Sequence, residues 1–218
     1  MSRWSGYRSY LFDLDGTLVD TAPDINAALN YSLDRAGLGE VDISLTRHWV
    51  GHGSRILIGQ ALEYLQQQQL NIDLLLGDFL DYYRANLAVH SIIYPEVTET
   101  LVALQQSGAR LAVVTNKLAE LSEPLFADIG LAHHFDLIVC GDTASAPKPD
   151  PAPVNLCLQQ FGLPAAETLF VGDSDTDVKA ALAANVDVVC VRDGYNHGVD
   201  VTTLGATGII ESFTELVG

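Results

Sequence analysis

The sequence predicts an α/β protein in which a parallel β-sheet is interrupted by an inserted block of helices. An apolar segment at residues 8–12 has the length of a buried strand. About seventy residues of helical periodicity follow Thr17, without any strand candidate. Beyond Tyr94 and Pro95, short apolar segments alternate with amphipathic ones as far as Val191. Alternation of this kind is typical of parallel sheets with helical crossovers.

The first predicted strand ends abruptly at a polar turn. Asp13 and Asp15 follow the apolar segment, and Gly16 and Thr17 come next. Carboxylates one residue apart point to opposite sides of an extended strand, so either the chain leaves the strand here or one acid acts through its backbone. Gly16 suits such a departure. A polar turn without function is the alternative, because Asp and Gly are common turn residues.

The helical block is predicted to form a cap over this strand end. Thr21 is placed to cap the first helix, with Pro23 in its first turn, and Gly37 ends that helix. Further apolar stripes run through Ile58, Ala61, Leu62 and Leu65, and then through Leu75, Phe79, Tyr82 and Tyr83. We therefore expect an all-helical cap subdomain at residues 18–89 and a core domain formed by residues 1–17 and 90–218.

Downstream, the pattern predicts a Rossmann-like core that lacks the dinucleotide glycine fingerprint. The predicted helices are 97–106, 118–129, 152–161 and 175–184, and the predicted strands are 111–114, 137–140, 169–171 and 188–191. Polar residues follow these strands, namely Thr115 and Asn116 after one and the segment from Asp173 to Asp177 after another. Lys148 lies in the loop between them. Singly, they are explained as a helix cap, a capped helix start and a solvated charge. Together at one sheet edge, they are groups that neutralise a transferring phosphoryl group.

These residues resemble the motifs of the haloacid dehalogenase-like phosphohydrolases. Residues 13–17 match the first motif, Asp-x-Asp-Gly-Thr, at every fixed position. Thr115, Lys148 and the pair Asp173 and Asp177 match the second, third and fourth motifs in order. The resemblance extends from Tyr10 to Val191 and implies a parallel-sheet core with an inserted helical cap.

The resemblance also implies a role for each matched residue. Asp13 would be the nucleophile, forming an aspartyl-phosphate, and Asp15 the general acid and then the base. Mg²⁺ would be held at Asp13, the Asp15 carbonyl and Asp173, with Asp177 in the metal site as an orienting residue. Lys148 and Thr115 would complete the catalytic set, and Gly16, Thr17 and Asn116 would contact substrate. An acid at position 15 distinguishes the phosphotransfer enzymes of the superfamily from its dehalogenases.

The segment 46–55 is predicted to recognise the substrate. It combines Gly51 and Gly53 with Arg55, His52 and an indole, and is similar to the Val-Gly-x-Gly cap loop of bacterial phosphoglycolate phosphatases. Glycine would let backbone N–H groups approach the substrate, and Arg55 could pair with a substrate carboxylate. A simple turn with a solvated Arg55 is the alternative. The return linker departs from the family pattern, since Glu96 follows Pro95 where many relatives have glycine.

Composition narrows the choice of partners. With 48% hydrophobic residues and a formal charge of −17, the chain has a sizeable core and an overall field that opposes nucleic acid and anionic membrane. The isolated cysteines Cys140, Cys157 and Cys190 are expected to be buried thiols, and a cytoplasmic location is expected. The leading hypothesis is a Mg²⁺-dependent phosphatase acting on a small phosphorylated metabolite such as 2-phosphoglycolate. A sugar-phosphate phosphatase, a β-phosphoglucomutase-like phosphotransferase, a non-catalytic phospho-ligand module, and a monomer or homodimer all stay open.

Overall fold

The computed structural model describes residues 2–217 and contains a six-stranded parallel sheet. In chain order, the strands are β1 (Ser9–Phe12), β2 (Val19–Asp20), β3 (Ile92–Ile93), β4 (Arg110–Val114), β5 (Leu137–Val139), β6 (Thr168–Gly172), β7 (Asp187–Val191) and β8 (Gly208–Ile210). The helices are α1 (Ala22–Arg35), α2 (Ile43–Trp49), α3 (Ser54–Tyr64), α4 (Ile72–Ala85), α5 (Val97–Gln106), α6 (Ala119–Asp128), α7 (Ala152–Phe161) and α8 (Asp175–Ala183). The predicted α/β class, with a parallel sheet and an inserted helical block, is confirmed.

The central strand β1 sets the position of the site. The order of the sheet is β5-β4-β1-β6-β7-β8, so β1 pairs with both β4 and β6. Tyr10 and Phe12 point to the face covered by α5 and α6, whereas Leu11 packs with residues of α7 and α8 on the other face. Because both faces are covered, β1 is fully buried. The polar side chains of the site lie at the carboxyl ends of β1 and its neighbouring strands.

Helices α1 to α4 form a block whose hydrophobic cluster also includes Leu121 of α6 and Tyr195 of the loop after β7. Leu29 and Leu33 of α1 pack with Phe79 and Tyr83 of α4 in this cluster. Strands β2 and β3 pair antiparallel where the chain enters and leaves the block. The carboxylate of Asp24 accepts hydrogen bonds from the backbone N–H groups of the returning chain at residues 90 and 91. Helices α1, α3 and α4 each bury an apolar face within the block.

Several elements differ from the sequence prediction. Strand β2 lies inside the block predicted to contain no strand, and β8 extends the sheet beyond the last predicted strand. Both are too short, at 2 and 3 residues, to give a periodic signal. Helix α2 covers the first part of the segment treated as a loop. Thr21 occupies the N-cap position of α1, but its side chain makes no capping bond there.

Two further expectations concern membranes and thiols. Among the described residues, every helix is too short or too polar to span a lipid bilayer. Cys140, Cys157 and Cys190 are buried and carry free thiols, as predicted. Cys157 and Cys190 belong to the hydrophobic cluster between the sheet and helices α7 and α8, where they behave as small hydrophobic side chains.

Candidate active site

The acid pair after β1 is held in a tight turn. Asp13 is buried at the strand end, and the backbone N–H groups of Leu18 and Val19 both donate to the carbonyl of Leu14. Gly16 has a φ of +88°, and a Cβ there would lie 2.4 Å from Asp173 Oδ2. Only glycine fits this position, because the backbone must both adopt positive φ and approach a carboxylate. The turn separates the two acids, as the sequence predicts.

Three buried carboxylates converge beside the turn. Asp13, Asp173 and Asp177 each offer an oxygen within 4.8 Å of the others. Asp173 follows β6, and Asp177 lies in the first turn of α8, so neighbouring parallel strands bring the three acids together. The ammonium of Lys148 lies 2.8 Å from Asp13 Oδ1 and 2.6 Å from Asp177 Oδ1. Lys148 is the one cation that pairs with these carboxylates in residues 2–217.

Both carboxylate oxygens of Asp177 accept hydrogen bonds from other protein groups. Its Oδ2 accepts hydrogen bonds from the backbone N–H groups of Asp173 and Ser174 and from the Ser174 hydroxyl, which form a capping box at the start of α8. Its Oδ1 accepts from Lys148. These contacts fit the expected orienting role of Asp177, and Asp13 is the member of the three that lines the neighbouring cavity.

Asp173 is fixed from two sides. Its Oδ1 accepts from the Thr17 hydroxyl at 2.8 Å, and its Oδ2 accepts from the backbone N–H of Tyr195. A Cβ on Gly194 would lie 2.1 Å from Asp173 Cβ, so the loop after β7 must have glycine here. Sequence reasoning missed Gly194 and Tyr195, because neither belongs to a motif. Thr17 and Gly16 contact Asp173, and their expected contact with substrate stays a prediction.

The electrostatics of the cluster favour a divalent cation. Burial, together with the neighbouring carboxylates of Asp177 and Asp15, raises the pKa of Asp13 to about 7, although Lys148 opposes the shift. Burial and the charges of Asp177 and Asp13 also raise the pKa of Asp173 well above its ordinary range. Loss of water around the charged carboxylates is the largest cause of both pKa shifts, and the neighbouring negative charges add to it. Carboxylate oxygens are the donors that Mg²⁺ prefers, so this donor set fits the expected ion.

Asp15 lies apart from this cluster in a polar network of its own. Its Oδ1 accepts from the Thr21 hydroxyl at 2.6 Å and from Lys117 Nζ at 2.8 Å. Lys117 also donates to the Tyr83 hydroxyl at 2.7 Å, and burial raises the pKa of Tyr83 to about 12. Lys117 was not among the predicted residues, although it directly follows Thr115 and Asn116. Its position after β4 was the available signal.

The residues after β4 join the core to the helical block. Thr115 Oγ1 accepts from the backbone N–H of Lys117, and Asn116 Nδ2 donates to the carbonyl oxygens of Gly51 and Lys148 at 3.0 and 2.9 Å. Asn116 Oδ1 is buried and has no hydrogen-bond partner within the described part of the chain. Gly51, predicted to contact substrate from the helical block, is therefore hydrogen-bonded to Asn116 of the core.

A cavity of about 400 Å³ lies between the residues that follow β1 and β4 in the core and residues 50–57 of the helical block. Its base includes Asp13, Asp15 and Thr115, and its opposite wall is formed by residues 50–57 with apolar side chains of α4. Gly53 and Arg55 lie on this wall, but the Arg55 side chain is 56% exposed and its guanidinium pairs with Asp73. A substrate carboxylate would have to displace Asp73 to pair with Arg55.

A model of the haloacid dehalogenase-like hydrolase family matches residues 10–191. The chain belongs to this family. The phosphoglycolate phosphatase of Colwellia psychrerythraea is 38% identical over 218 residues, covering 95% of this chain and 94% of that protein. The phosphoglycolate phosphatase of Nitrosococcus oceani is 38% identical over 209 residues, covering 94% and 93%.

Solved structures of this hydrolase family have the same fold. A crystal structure from Haemophilus somnus, described as a predicted phosphoglycolate phosphatase, superposes with a TM-score of 0.92 at 34% identity, covering 97% of this chain and 96% of that one. The resemblance recognised in the motifs, including the phosphoglycolate phosphatase-like subfamily, is therefore confirmed. The protein is a phosphoric monoester hydrolase.

Proposed function

We propose that the protein is a Mg²⁺-dependent phosphatase that hydrolyses 2-phosphoglycolate through an aspartyl-phosphate on Asp13. The observation that carries this proposal is the buried grouping of Asp13, Asp173 and Lys148, in which Asp13 also lines the cavity. A nucleophilic carboxylate beside one lysine and a second acid is what in-line phosphoryl transfer requires. The names of the relatives support the substrate.

In the first step, an oxygen of Asp13 attacks phosphorus while the ester P–O bond breaks, and Asp15 gives its proton to the departing oxygen. In the second step, Asp15 takes a proton from water, whose oxygen attacks the phosphoryl group and releases inorganic phosphate and free Asp13. A Mg²⁺ ion held by Asp13, Asp173 and the Asp15 carbonyl would neutralise charge on the phosphoryl oxygens. Lys148, with the Thr115 hydroxyl and the backbone N–H of Asn116, would donate to the same oxygens.

We also propose that residues 18–89 act as the cap and that residues 1–17 and 90–218 are the core. All buried residues of the hydrophobic cluster around α1 to α4 except Leu121 and Tyr195 lie within residues 18–89, which supports this division. The bond from Asn116 to the Gly51 carbonyl would form when the cap lies over the site and break when it opens. Closure would exclude water while Asp13 reacts. A cytoplasmic location is part of the same proposal, supported by the three free thiols.

The experiment is a comparison of phosphate release from 2-phosphoglycolate and from a panel of sugar phosphates, with and without Mg²⁺. We expect the highest kcat/KM for 2-phosphoglycolate and no turnover in EDTA. A higher value for a sugar phosphate would overturn the substrate, and transferred rather than released phosphate would indicate a mutase. The absence of hydrolysis with every ester would indicate a non-catalytic binding module.

The nucleophile is tested separately with Asp13→Asn. We expect folded protein with turnover reduced by at least about a thousandfold and with no trapped acyl-phosphate. Thr202→Ala, a change at a solvent-exposed site outside the cavity, is the matched control. Full turnover by a clean preparation of Asp13→Asn would refute the mechanism.

The predicted role of Arg55 has its own pair of variants. Arg55→Gln should raise the KM for 2-phosphoglycolate by about tenfold, because one charge-assisted pair is lost. Asp73→Asn should lower this KM, since it removes the carboxylate that now engages Arg55. Both variants should leave the KM of an uncharged-tail phosphate ester unchanged. Equal effects on both esters would mean that Arg55 does not bind the substrate carboxylate.

A further inference from the structure

Two histidines and an aspartate meet where the helical block touches the core, outside the carboxylate cluster. His52 lies in the loop before α3, Asp175 begins α8, and His197 lies in the loop after β7. One ligand atom from each side chain lies within 4.8 Å of the other two. The rings of His52 and His197 have centroids 4.6 Å apart. Three segments far apart in sequence thus place two imidazoles and a carboxylate together.

His197 has a fixed orientation toward this group. Its Nδ1 lies 2.8 Å from the backbone carbonyl of His48, so Nδ1 carries the hydrogen and donates it. In the neutral ring, Nε2 then presents a lone pair. This atom is buried, and residues 2–217 give it no hydrogen-bond partner. Metal-binding histidines commonly donate one ring N–H to a carbonyl while the other nitrogen binds the ion.

The loop before α3, which carries His52, and the loop after β7, which carries His197, approach each other closely at glycine residues. A Cβ on Gly198 would lie 2.6 Å from His48 Cδ2, and a Cβ on Gly51 would lie 3.2 Å from His197 Cε1. Larger residues would separate His197 from the helical block. Burial, together with the neighbouring His197, lowers the pKa of His52, which favours the neutral imidazole that binds metals. Asp175 also pairs with Lys179 on the surface, a contact that an ion would have to share or replace.

We propose that His52, Asp175 and His197 form a second metal site that binds a borderline divalent ion such as Zn²⁺. Two nitrogens and one carboxylate oxygen are a donor set typical of Zn²⁺, whereas Mg²⁺ prefers oxygen alone. Ligand atoms each about 2 Å from one ion are at most about 4 Å apart, so binding draws the three side chains slightly together. Since His52 belongs to the helical block and the other two to the core, an ion here ties the two parts together.

An ion that bridges the helical block and the core would slow turnover. The loop that carries His52 also forms the wall of the cavity above Asp13. An ion bound here holds that loop in place, which slows any opening needed for substrate entry or product release. The binding itself does not depend on which phosphate ester is the substrate. Zn²⁺ at this site therefore acts as an inhibitor of the enzyme.

The test measures binding of Zn²⁺ and Co²⁺ to the full-length protein in saturating Mg²⁺, by calorimetry and by the visible absorption of Co²⁺. We expect one tight equivalent that survives Asp173→Asn, because the carboxylate cluster is not its site. His52→Gln and His197→Gln should each weaken it by about tenfold or more. His133→Gln, which changes an exposed histidine elsewhere, is the matched control and should bind normally. Unchanged binding in both site variants, or loss of binding in Asp173→Asn, overturns the proposal.

Kinetics with a saturating phosphate ester test independently whether Zn²⁺ bound at this site inhibits turnover. Zn²⁺ should lower kcat of the unsubstituted enzyme and of His133→Gln, and the inhibition should be weaker by about tenfold in His197→Gln. Circular dichroism verifies that each variant is folded. Equal inhibition of all three proteins would place the inhibitory ion at the Mg²⁺ cluster and would overturn the proposed tie. Because phosphate release without Zn²⁺ is measured in each protein, failure of the phosphatase proposal is seen separately.

Discussion

The ammonium of Lys117 lies 2.8 Å from the carboxylate of Asp15, and both side chains are nearly inaccessible to solvent. The same ammonium reaches the Tyr83 hydroxyl of α4. Charge on the proposed general acid is therefore balanced by a residue that also contacts the helical block. Such a contact can hold Asp15 in one orientation only while the block lies over the core.

Lys117→Met removes both the partner of Asp15 and the link to Tyr83. We expect kcat to fall by about a hundredfold, with a smaller change in KM, because an unpaired and misoriented Asp15 transfers protons poorly. The measurement is kcat and KM as a function of pH, and the shape of the kcat profile should change. Tyr83→Phe keeps the ion pair and should lose less than about tenfold. An unaltered kcat profile in Lys117→Met would remove Lys117 from its role as a positioning residue.

The raised pKa of Asp13 makes the stability of the metal-free protein depend on pH. Its folded-state pKa of about 7 exceeds the ordinary value of 3.8, so the folded state binds more protons between these values. This contribution to stability is full below pH 3.8 and is lost as the pH rises through 7. We expect Mg²⁺ to raise the melting temperature more at pH 8 than at pH 5.5, because the ion competes with protons. The measurement is thermal denaturation at both pH values with EDTA or Mg²⁺.

Asp13→Asn is the control for this pH dependence. The substitution removes one of the two ligands whose pKa is raised, so the difference between the Mg²⁺ effects at the two pH values should become smaller. Equal gains at pH 5.5 and pH 8 in the unsubstituted protein would contradict the link between Asp13 and the cation.

Two glycine substitutions should have opposite effects. Gly194→Ala places a Cβ 2.1 Å from Asp173 Cβ, and we expect a loss of about 1–3 kcal/mol in unfolding free energy together with weaker Mg²⁺ binding. Gly77→Ala lies in the exposed interior of α4 with no atom within 4 Å of the new Cβ. It should gain about 0.5–1 kcal/mol, since alanine favours the helix. Urea denaturation and Mg²⁺ titration check both, and normal Mg²⁺ affinity in Gly194→Ala would argue against the tight packing on Asp173.

Glu96, which stands where many relatives have glycine, adopts a backbone conformation that is unfavourable for a residue with a side chain. Glu96 has a φ of +65°, the left-handed region that favours glycine, and its carboxylate accepts a hydrogen bond from Ser212. Glu96→Ala and Glu96→Gly both lose the Ser212 contact, but only glycine relieves the backbone. We expect the glycine variant to be more stable than the alanine variant by about 1 kcal/mol in urea denaturation. Equal stability would mean that the linker relaxes around residue 96.

The sequence by itself determined the class of fold and most of the carboxylate cluster. Strand β1 was identifiable because a buried parallel strand is a continuous apolar run, and Asp13, Asp15, Lys148 and Asp173 stand at fixed positions in recognisable motifs. Strands β2 and β8 could not be found, because 2 or 3 residues carry no period. Thr21 had the sequence position of a helix cap, yet its hydroxyl donates to Asp15.

Only the tertiary structure decided which groups from distant segments meet. Lys117 pairs with Asp15 across 102 positions in sequence, and Tyr195 contacts Asp173 through its backbone. His52 and His197 come together because the loop of the helical block folds onto the loop after β7. Periodicity and motifs describe neighbours along one element, whereas these contacts depend on how the loops pack above the sheet edge. Burial then set the pKa of Asp13, which no sequence pattern contains.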